Sequence, residues 1–167
     1  MTVRPQISSF RATARRAFTL LECMTVVLVM GILAMIAVPK FTSFNLQQRA
    51  EAAVRRITAD LSMAQRQARF TGSDRRIVFS VVGNGYTLIG IPDLDHPNQP
   101  YVVSLGEEPY GATIVSVNFG GDPELVFDGY GNPDTSGAVV ISVGDYKKSV
   151  SVEAGTSNVR FIPHDPN

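Results

Sequence analysis

The chain has 167 residues, 44% of them hydrophobic, and its fifteen basic and fifteen acidic residues give a net charge of zero. This length allows one small globular domain beside the N-terminal segments, and the single cysteine, Cys23, excludes an intramolecular disulfide. The overall balance hides an asymmetry, because residues 40–76 hold eight Lys/Arg against three Asp/Glu, whereas residues 77–167 hold three against eleven. A basic segment therefore precedes an acidic domain.

The first 17 residues are basic, and the next 21 are almost entirely apolar. The leader contains Arg4, Arg11, Arg15 and Arg16 and no acid, which keeps it on the cytoplasmic side of a membrane. Residues 18–38 form about 31 Å of helix at about 1.5 Å per residue, which is enough to cross a bilayer. We therefore predict a transmembrane helix over residues 18–38 and export of the rest of the chain.

Glu22 interrupts this apolar run. A charge inside a transmembrane helix costs about 2.5–3.5 kcal/mol on insertion scales, so a carboxylate here needs a specific partner rather than lipid. The alternative is a tolerated Glu near the end of an ordinary anchor, from which it reaches the membrane interface.

The local sequence resembles a prepilin-type signal of the type IV pilin and pseudopilin superfamily. The matching residues are Phe18-Thr19-Leu20-Leu21-Glu22 after a basic leader, with Gly31 and Pro39 further along the helix. The departure is Ala17, where the family normally has Gly. The resemblance implies that a prepilin peptidase cuts between Ala17 and Phe18 and methylates the new amine of Phe18.

Cleavage at this position gives Glu22 its partner. The carboxylate of one subunit can pair with the Phe18 amine of a neighbour, which removes two unpaired charges from an apolar environment at once. We therefore expect Glu22 to be the filament assembly residue.

Three other interpretations of the N-terminus remain open. A secretory signal ends its apolar stretch after roughly 7–15 residues at a cleavage site, whereas this run continues past Gly31. A twin-arginine signal matches Arg15-Arg16 but not the carboxylate inside the run. A plain uncleaved anchor is the third interpretation.

The pattern of residues 39–72 predicts an amphipathic helix. Its apolar positions recur at steps of three and four residues: Ala50, Ala53, Val54, Ile57, Leu61, Ala64 and Ala68. Arginines fall mostly off that stripe, so one face packs on the globular domain. Pro39 lacks an amide proton and predicts a kink or short break, and Thr71-Gly72 is the expected helix end.

The pattern of residues 73–167 predicts consecutive antiparallel strands. Runs rich in β-branched and aromatic residues lie at 76–82, 86–91, 101–105, 112–119, 124–128, 138–143, 147–153 and 158–162. Gly83-Asn84-Gly85 and Gly144-Asp145 are hairpin turns between neighbouring runs. With no helices between them, the strands imply antiparallel sheets in two packed layers or one strongly curved layer, with the helix on one side.

Two segments resemble the GspH/FimT-type branch of the superfamily. One is the junction from Leu61 through Ala68-Arg69 and Gly72 into a strand. The other is the closing pattern from Leu125-Val126-Phe127 through Gly137 to a basic-flanked strand and a short final strand. The resemblance implies an α+β, pilin-like fold, whose long N-terminal helix has a transmembrane half and an amphipathic half and packs on an antiparallel sheet or sandwich. The implied organisation is a leader at 1–17, a transmembrane helix at 18–38, a stalk helix at 39–72 and a periplasmic β head at 73–167.

The function that this resemblance implies is structural. It is that of a minor pseudopilin in the periplasmic pseudopilus of a type II secretion system, anchored in the inner membrane with a cytoplasmic N-terminus. The implied partners are other pseudopilins, the prepilin peptidase, the inner-membrane assembly platform, the lipid bilayer and secreted proteins. The carboxylate of Glu22 suits an ordinary subunit, because the tip-most pseudopilin typically lacks it.

Two alternatives remain beside this function. A FimT-like type IV minor pilin binds DNA for uptake, which needs an exposed basic patch. Here the head is acidic, and its last strand and tail offer only Arg160, so DNA is not the expected partner. The second alternative is a periplasmic binding module outside any filament, which a prepilin peptidase would not process.

An enzymatic function finds little support. His96 and His164 lie in a Pro-rich loop and in the tail, away from a candidate nucleophile, and no phosphate-binding loop occurs, so we expect no catalytic residue and no cofactor. Asp93, Asp95 and His96 are the only loop group with metal-binding chemistry. A polar turn explains them better, and we expect no metal site.

Overall fold

A computed structural model describes residues 18–93, 96–154 and 161–164, with the backbone alone for residues 36–42 and 161–164. The helix α1 spans Leu20–Thr71. The strands that follow are β1 Arg75–Ser80, β2 Gly85–Pro92, β3 Pro100–Ser104, β4 Thr113–Phe119, β5 Glu124–Phe127, β6 Gly137–Val143, β7 Tyr146–Val152 and β8 Phe161–His164. Internal contacts divide the chain into two units, Met1–Lys40 and Phe41–Asn167.

The end of α1 confirms the predicted cap. Gly72 follows the last helical residue with a φ of 61°, a left-handed conformation that glycine adopts without strain. The Ser73 N–H then donates to the Ala68 carbonyl at 3.3 Å, which is the closing bond of a Schellman motif.

The predicted break at Pro39 is wrong, because α1 continues through this residue. Proline removes one amide donor, and the helical bonds on either side are enough to keep the backbone helical. A kink at Pro39 stays a prediction. In the described part of the chain, no helix combines the length and apolar character needed to cross a membrane. The predicted span 18–38 includes residues 36–38, whose side chains lie outside that part, and it stays a prediction.

The apolar stripe of α1 is buried as predicted. Each of its seven residues, Ala50, Ala53, Val54, Ile57, Leu61, Ala64 and Ala68, is at most 4% exposed. Four of them are alanines, whose small side chains let the helix approach the sheets closely. The stripe belongs to a single buried cluster with residues from both sheets, so the amphipathic half of α1 is part of the core of the domain.

The strands form two four-stranded antiparallel sheets, in the orders β3-β2-β1-β5 and β4-β6-β7-β8. Two packed layers were one of the two predicted arrangements. The β1–β2 hairpin turns at Gly83-Asn84, and the β6–β7 hairpin turns at Gly144-Asp145, where Gly144 has a φ of 57°. Phe79 of β1 stacks on Phe119 of β4 with ring centroids 5.8 Å apart, which joins the two sheets through the core.

The observed strand boundaries agree with the boundaries predicted from the sequence to within about two residues, except at the C-terminus. There the run 158–162 was predicted, whereas β8 covers Phe161–His164 and pairs with β7. Residues 155–160 lie outside the described part of the chain.

Candidate functional site: the N-terminal helix and its attachment to the domain

The first turn of α1 is capped by Thr19. The Glu22 N–H donates to Thr19 Oγ1 at 3.2 Å, and the Cys23 N–H donates to the Thr19 carbonyl at 3.2 Å. Thr19 and Glu22 have the Thr-x-x-Glu spacing of a capping box, and a carboxylate in the first turn also interacts favourably with the helix dipole. Thr19 therefore has a capping role that the sequence analysis missed, although the Thr-x-x-Glu spacing alone could have revealed it.

The predicted cleavage position lies at the edge of the described chain. Phe18 directly precedes the cap and is 74% exposed, whereas Ala17 and the rest of the leader lie outside the described residues. The structure therefore brings Phe18 and Glu22 within one helical turn of each other. Cleavage, methylation and pairing between subunits stay predictions.

The apolar part of α1 is exposed in the structure of the described residues. Every residue from 18 to 35 is exposed, and the least exposed of its large aliphatic side chains, Val26, is still 49% exposed. The eight Leu, Val and Ile side chains of this range are Leu20, Leu21, Val26, Val27, Leu28, Val29, Ile32 and Leu33. An exposed apolar surface of this extent marks a site of interaction with another protein or with a membrane. Glu22 and Cys23 are exposed on the same helix.

A buried polar cluster attaches the other half of α1 to the first sheet. Asp60 is 5% exposed and accepts hydrogen bonds from the hydroxyls of Tyr86 at 2.7 Å and Tyr101 at 3.3 Å. Arg56 donates through Nε to Asp60 at 3.0 Å and through its terminal nitrogen to the Tyr101 hydroxyl. A buried carboxylate is tolerated only when it is paired and hydrogen-bonded, and these three partners meet that need.

The electrostatics of this cluster favour neutral tyrosines and a charged arginine. Burial, followed by the nearby Asp60 carboxylate, raises the pKa of Tyr86 far above its ordinary value and raises the pKa of Tyr101 as well. For Arg56, burial lowers the pKa, but the Asp60 carboxylate raises it, and the net direction is upward. The sequence analysis did not find this cluster, because its members are separated by up to 45 residues along the chain.

A second attachment holds the C-terminal turn of α1. Gln65 donates to the Gly131 carbonyl at 2.9 Å, and Arg69 donates to the Tyr130 carbonyl at 3.0 Å. The loop itself is ordered by Asp128, whose carboxylate accepts the N–H groups of Tyr130 and Asn132 at 2.9 and 2.8 Å. These backbone donors, above all that of Asn132, lower the pKa of Asp128.

Among the described residues, the loop that contains Asp93 and His96 shows no arrangement of metal ligands. His96 Nδ1 lies 3.6 Å from Asp93 Oδ1, and the His96 N–H donates to the same oxygen at 2.9 Å, which is a local turn. Asp95 lies outside the described residues. Elsewhere in the described chain, no three His, Cys, Asp or Glu side chains come together as metal ligands would.

The basic segment 40–76 and the acidic remainder of the domain already form ion pairs within one chain. Arg49 pairs with Glu108 at 3.0 Å, and Arg76 pairs with Glu124 at 3.6 Å. Such exposed pairs contribute about 0–1 kcal/mol each, so they orient loops more than they stabilise the fold. Arg160 lies outside the described residues.

Comparison with known proteins identifies structures with a similar fold. No protein-family model matches the chain, and no curated protein sequence matches it.

Two solved structures match the chain in fold. The minor pseudopilin EpsH from the Type 2 Secretion System of Vibrio cholerae matches with a TM-score of 0.52 and 17% identity, over 68% of this chain and 96% of that one. The type IV minor pilin FimU of Pseudomonas aeruginosa matches with a TM-score of 0.54 and 18% identity, over 74% of this chain and 97% of that one. The chain therefore has the pilin-like α+β fold, an N-terminal helix packed on antiparallel sheets, that these minor pilins and pseudopilins share.

Proposed function

We propose that this chain is a non-catalytic structural subunit of a pilin-like filament, namely a minor pseudopilin of a type II secretion system. The observation that carries the proposal is the exposed apolar half of α1, which begins at a capped turn holding Glu22 and Phe18 and which no described part of the chain covers. A helix of this kind is suited to a bilayer before assembly and to a bundle of like helices afterwards. The pilin-like fold supports the same function.

The mechanism follows from the charges at the start of α1. A prepilin peptidase cuts between Ala17 and Phe18 and methylates the new amine. The positive amine of one subunit then pairs with the Glu22 carboxylate of its neighbour. This pairing removes the free-energy penalty that each charge has when it is unpaired in an apolar environment. The inner-membrane assembly platform adds subunits in this way, with residues 18–38 in the membrane and the β head in the periplasm.

Determination of the mature N-terminus tests this proposal. The full chain is expressed in its host, purified from membranes, and its N-terminal peptide is analysed by mass spectrometry. We expect a first residue of methylated Phe18, and we expect no such peptide in a strain that lacks the prepilin peptidase. A mature protein that begins at Met1 would contradict the proposal and leave a tethered β domain.

The choice between a secretion system and a DNA-binding minor pilin needs a separate test. Deletion of the chain is expected to reduce protein secretion and to leave DNA uptake unchanged. Salt-dependent DNA binding by the purified full chain would favour the FimT-like alternative instead.

A further inference from the structure

Among the described strands, four lie at sheet edges: β3 and β5 in the first sheet, and β4 and β8 in the second. An edge strand turns a row of unpaired backbone N–H and C=O groups outward, and these groups pair readily with an extended segment of another chain. Folded proteins therefore cover such an edge, interrupt it with a proline or a bulge, or place charges on it.

Three of these edges carry such protection. On β5, the Val126 N–H donates to Asp134 Oδ1 at 3.1 Å, and the Val126 carbonyl accepts the Asp134 N–H at 2.9 Å. On β4, the pairing with β6 shifts register after Ile114, and the Ile114 N–H donates to the side chain of Asn84 at 3.0 Å. The strand β8 contains Pro163, a residue typical of edge strands because it has no N–H.

The edge strand β3 has none of these features after its first residue. From Tyr101 to Ser104 it has no charge and no proline, and no described strand pairs with its outer side. The Leu105 N–H donates to the Asn84 carbonyl at 2.8 Å, which continues the β2–β3 ladder by one pair. Hydrogen-bonded pairs alternate along an antiparallel ladder, so Val102 and Ser104 turn their N–H and C=O groups away from β2. Among the described residues these outward groups have no backbone partner.

A row of β-branched side chains ends at this edge. On the outer face of the first sheet, Val78, Thr87 and Val102 lie directly across from one another in three neighbouring strands. Val102 is the last of the row and is 59% exposed. Cross-strand pairs of β-branched residues stabilise a sheet, so a β-branched residue of an added strand would continue the row.

A cleft lies at the start of β3. The β2–β3 ladder loses its register between Leu88 and Pro92, and a cleft of about 250 Å³ opens there. Its walls are mostly apolar and include Ile89, Ile91 and Pro100. When a strand is added to a sheet, backbone hydrogen bonds provide affinity, and pockets for alternate side chains provide specificity. The cleft is suited to one apolar side chain of such a strand.

We propose that β3 binds an extended segment of a different subunit of the same filament, which becomes the fifth strand of the first sheet. The backbone of this segment pairs with the outward groups of Val102 and Ser104. One of its β-branched side chains packs beside Val102, and an apolar side chain enters the cleft. The inference rests on the proposed function and adds a contact between heads to the contacts of the N-terminal helix.

The protection of the other edges indicates the source of this segment. An uncharged edge is an aggregation hazard while it is bare, so its partner has to be present whenever the chain is in its working state. A neighbouring subunit meets this condition, whereas a secreted protein occupies the site only transiently. Pairing with β3 of a second copy would give a two-fold symmetric dimer, which closes and does not extend into a filament.

Photo-cross-linking in intact host cells tests the contact. A photoreactive amino acid replaces Ser104 in the full chain, and the adducts are detected by immunoblotting and identified by mass spectrometry. We expect adducts to one other subunit that carries its own prepilin-type N-terminus, at about five times or more the yield obtained with the same amino acid at Val115. Val115 is a matched control, because it is 45% exposed and lies on the protected edge strand β4.

Proline substitution tests the role of the backbone. Val102→Pro removes an outward N–H and keeps the bonds between β2 and β3, since proline is accepted on edge strands where the N–H faces solvent. It should lower the adduct yield at Ser104 about fivefold or more, whereas Val102→Thr keeps the N–H and the branched shape and should stay within about twofold. If Val102→Pro lowers the urea midpoint of the full chain, Ser104→Pro with the photoreactive amino acid at Val102 makes the same measurement.

The other outcomes overturn the inference. Adducts with a second copy of this chain or with a secreted protein would mean that the occupant is different. An unchanged yield for Val102→Pro would mean that the contact does not use strand pairing. A chain with methylated Phe18 that is present in filaments but forms no adduct at Ser104 would exclude the contact and leave the proposed function intact. A chain that keeps Met1 and forms no adduct would contradict both.

Discussion

The capped first turn and the proposed pairing give Glu22 two contributions to test, and a single substitution can separate them. Its backbone N–H is bound by Thr19, and its side chain has the spacing of a capping box, so an ordinary helix-starting role accounts for part of its presence. The proposed pairing with the Phe18 amine depends on its charge. Gln supports a capping box as well as Glu does but carries no charge.

Glu22→Gln is therefore expected to leave membrane insertion and helix content unchanged and to remove the chain from filaments. The filament fraction should fall at least about tenfold, because leaving one charge of a buried pair unpartnered costs about 3–5 kcal/mol. Immunoblots of filaments isolated after disruption of the outer membrane, and of inner membranes, measure both fractions. Glu51→Gln, on the same helix, is the matched control, and normal assembly of Glu22→Gln would exclude the pairing role.

The hydroxyl of Tyr86 makes a testable contribution to stability. Tyr86→Phe removes the 2.7 Å hydrogen bond to Asp60 while keeping the ring in the core. We expect a loss of about 1.5–3 kcal/mol in the free energy of unfolding, the range for hydrogen bonds to charged groups. Urea unfolding of the full chain in detergent, followed by circular dichroism, measures it. Tyr130→Phe removes an exposed hydroxyl and should change stability by less than about 0.5 kcal/mol, and an equal effect of the two would contradict the role of the cluster.

At the scale of elements, the sequence predicted the helix stripe and most strands because both depend on local patterns. The period of the apolar residues identified the buried face of α1 from Ala50 to Ala68, and glycine-containing turns placed the hairpins. The attachment of α1 to the sheets was not predictable in this way. Asp60, Tyr86 and Tyr101 come together through tertiary packing, and no local pattern links them.

At Gly129 the loop contacts the backbone that follows the end of α1. A Cβ added at Gly129 would lie 2.7 Å from the carbonyl carbon and oxygen of Gly72, and neither backbone can move without disturbing the helix cap. Gly129→Ala is therefore expected to lower the free energy of unfolding by about 1–3 kcal/mol, as overpacking does elsewhere. Gly106→Ala meets only an ordinary contact at 3.4 Å and is the control. Equal urea midpoints for the two variants would contradict this account.

At the scale of the whole molecule, the fold class and the burial of one helix face could be predicted, but the layout of the candidate site could not. The prepilin-type motif around Phe18 and Glu22 is a local pattern. The exposure of Phe70, Val82 and Tyr130 depends on which side chains the fold leaves uncovered, and these residues have no common sequence signature. Exposure is a property of the assembled domain, so it became visible only with the structure.

The stability of the domain should also depend on alkaline pH through its buried tyrosines. In the folded chain the pKa values of Tyr86 and Tyr101 are raised, first by burial and then by the Asp60 carboxylate, whereas in the unfolded chain a tyrosine titrates near pH 10. Below about pH 10 both states keep these tyrosines neutral, and their contribution is fully present. Above it the unfolded state releases protons that the folded state retains, so stability falls as pH rises.

Urea midpoints of the full chain measured between about pH 8 and pH 11 are expected to fall over the upper part of that range, because only the unfolded state then ionises these hydroxyls. The double variant Tyr86→Phe with Tyr101→Phe starts from lower stability, since Asp60 loses two donors, but its midpoint should change less over the same range. A Tyr130→Phe chain keeps both buried hydroxyls and should follow the unsubstituted protein. If the double variant loses stability as steeply as the unsubstituted chain, other groups control the alkaline transition, and the Asp60 cluster is not its source.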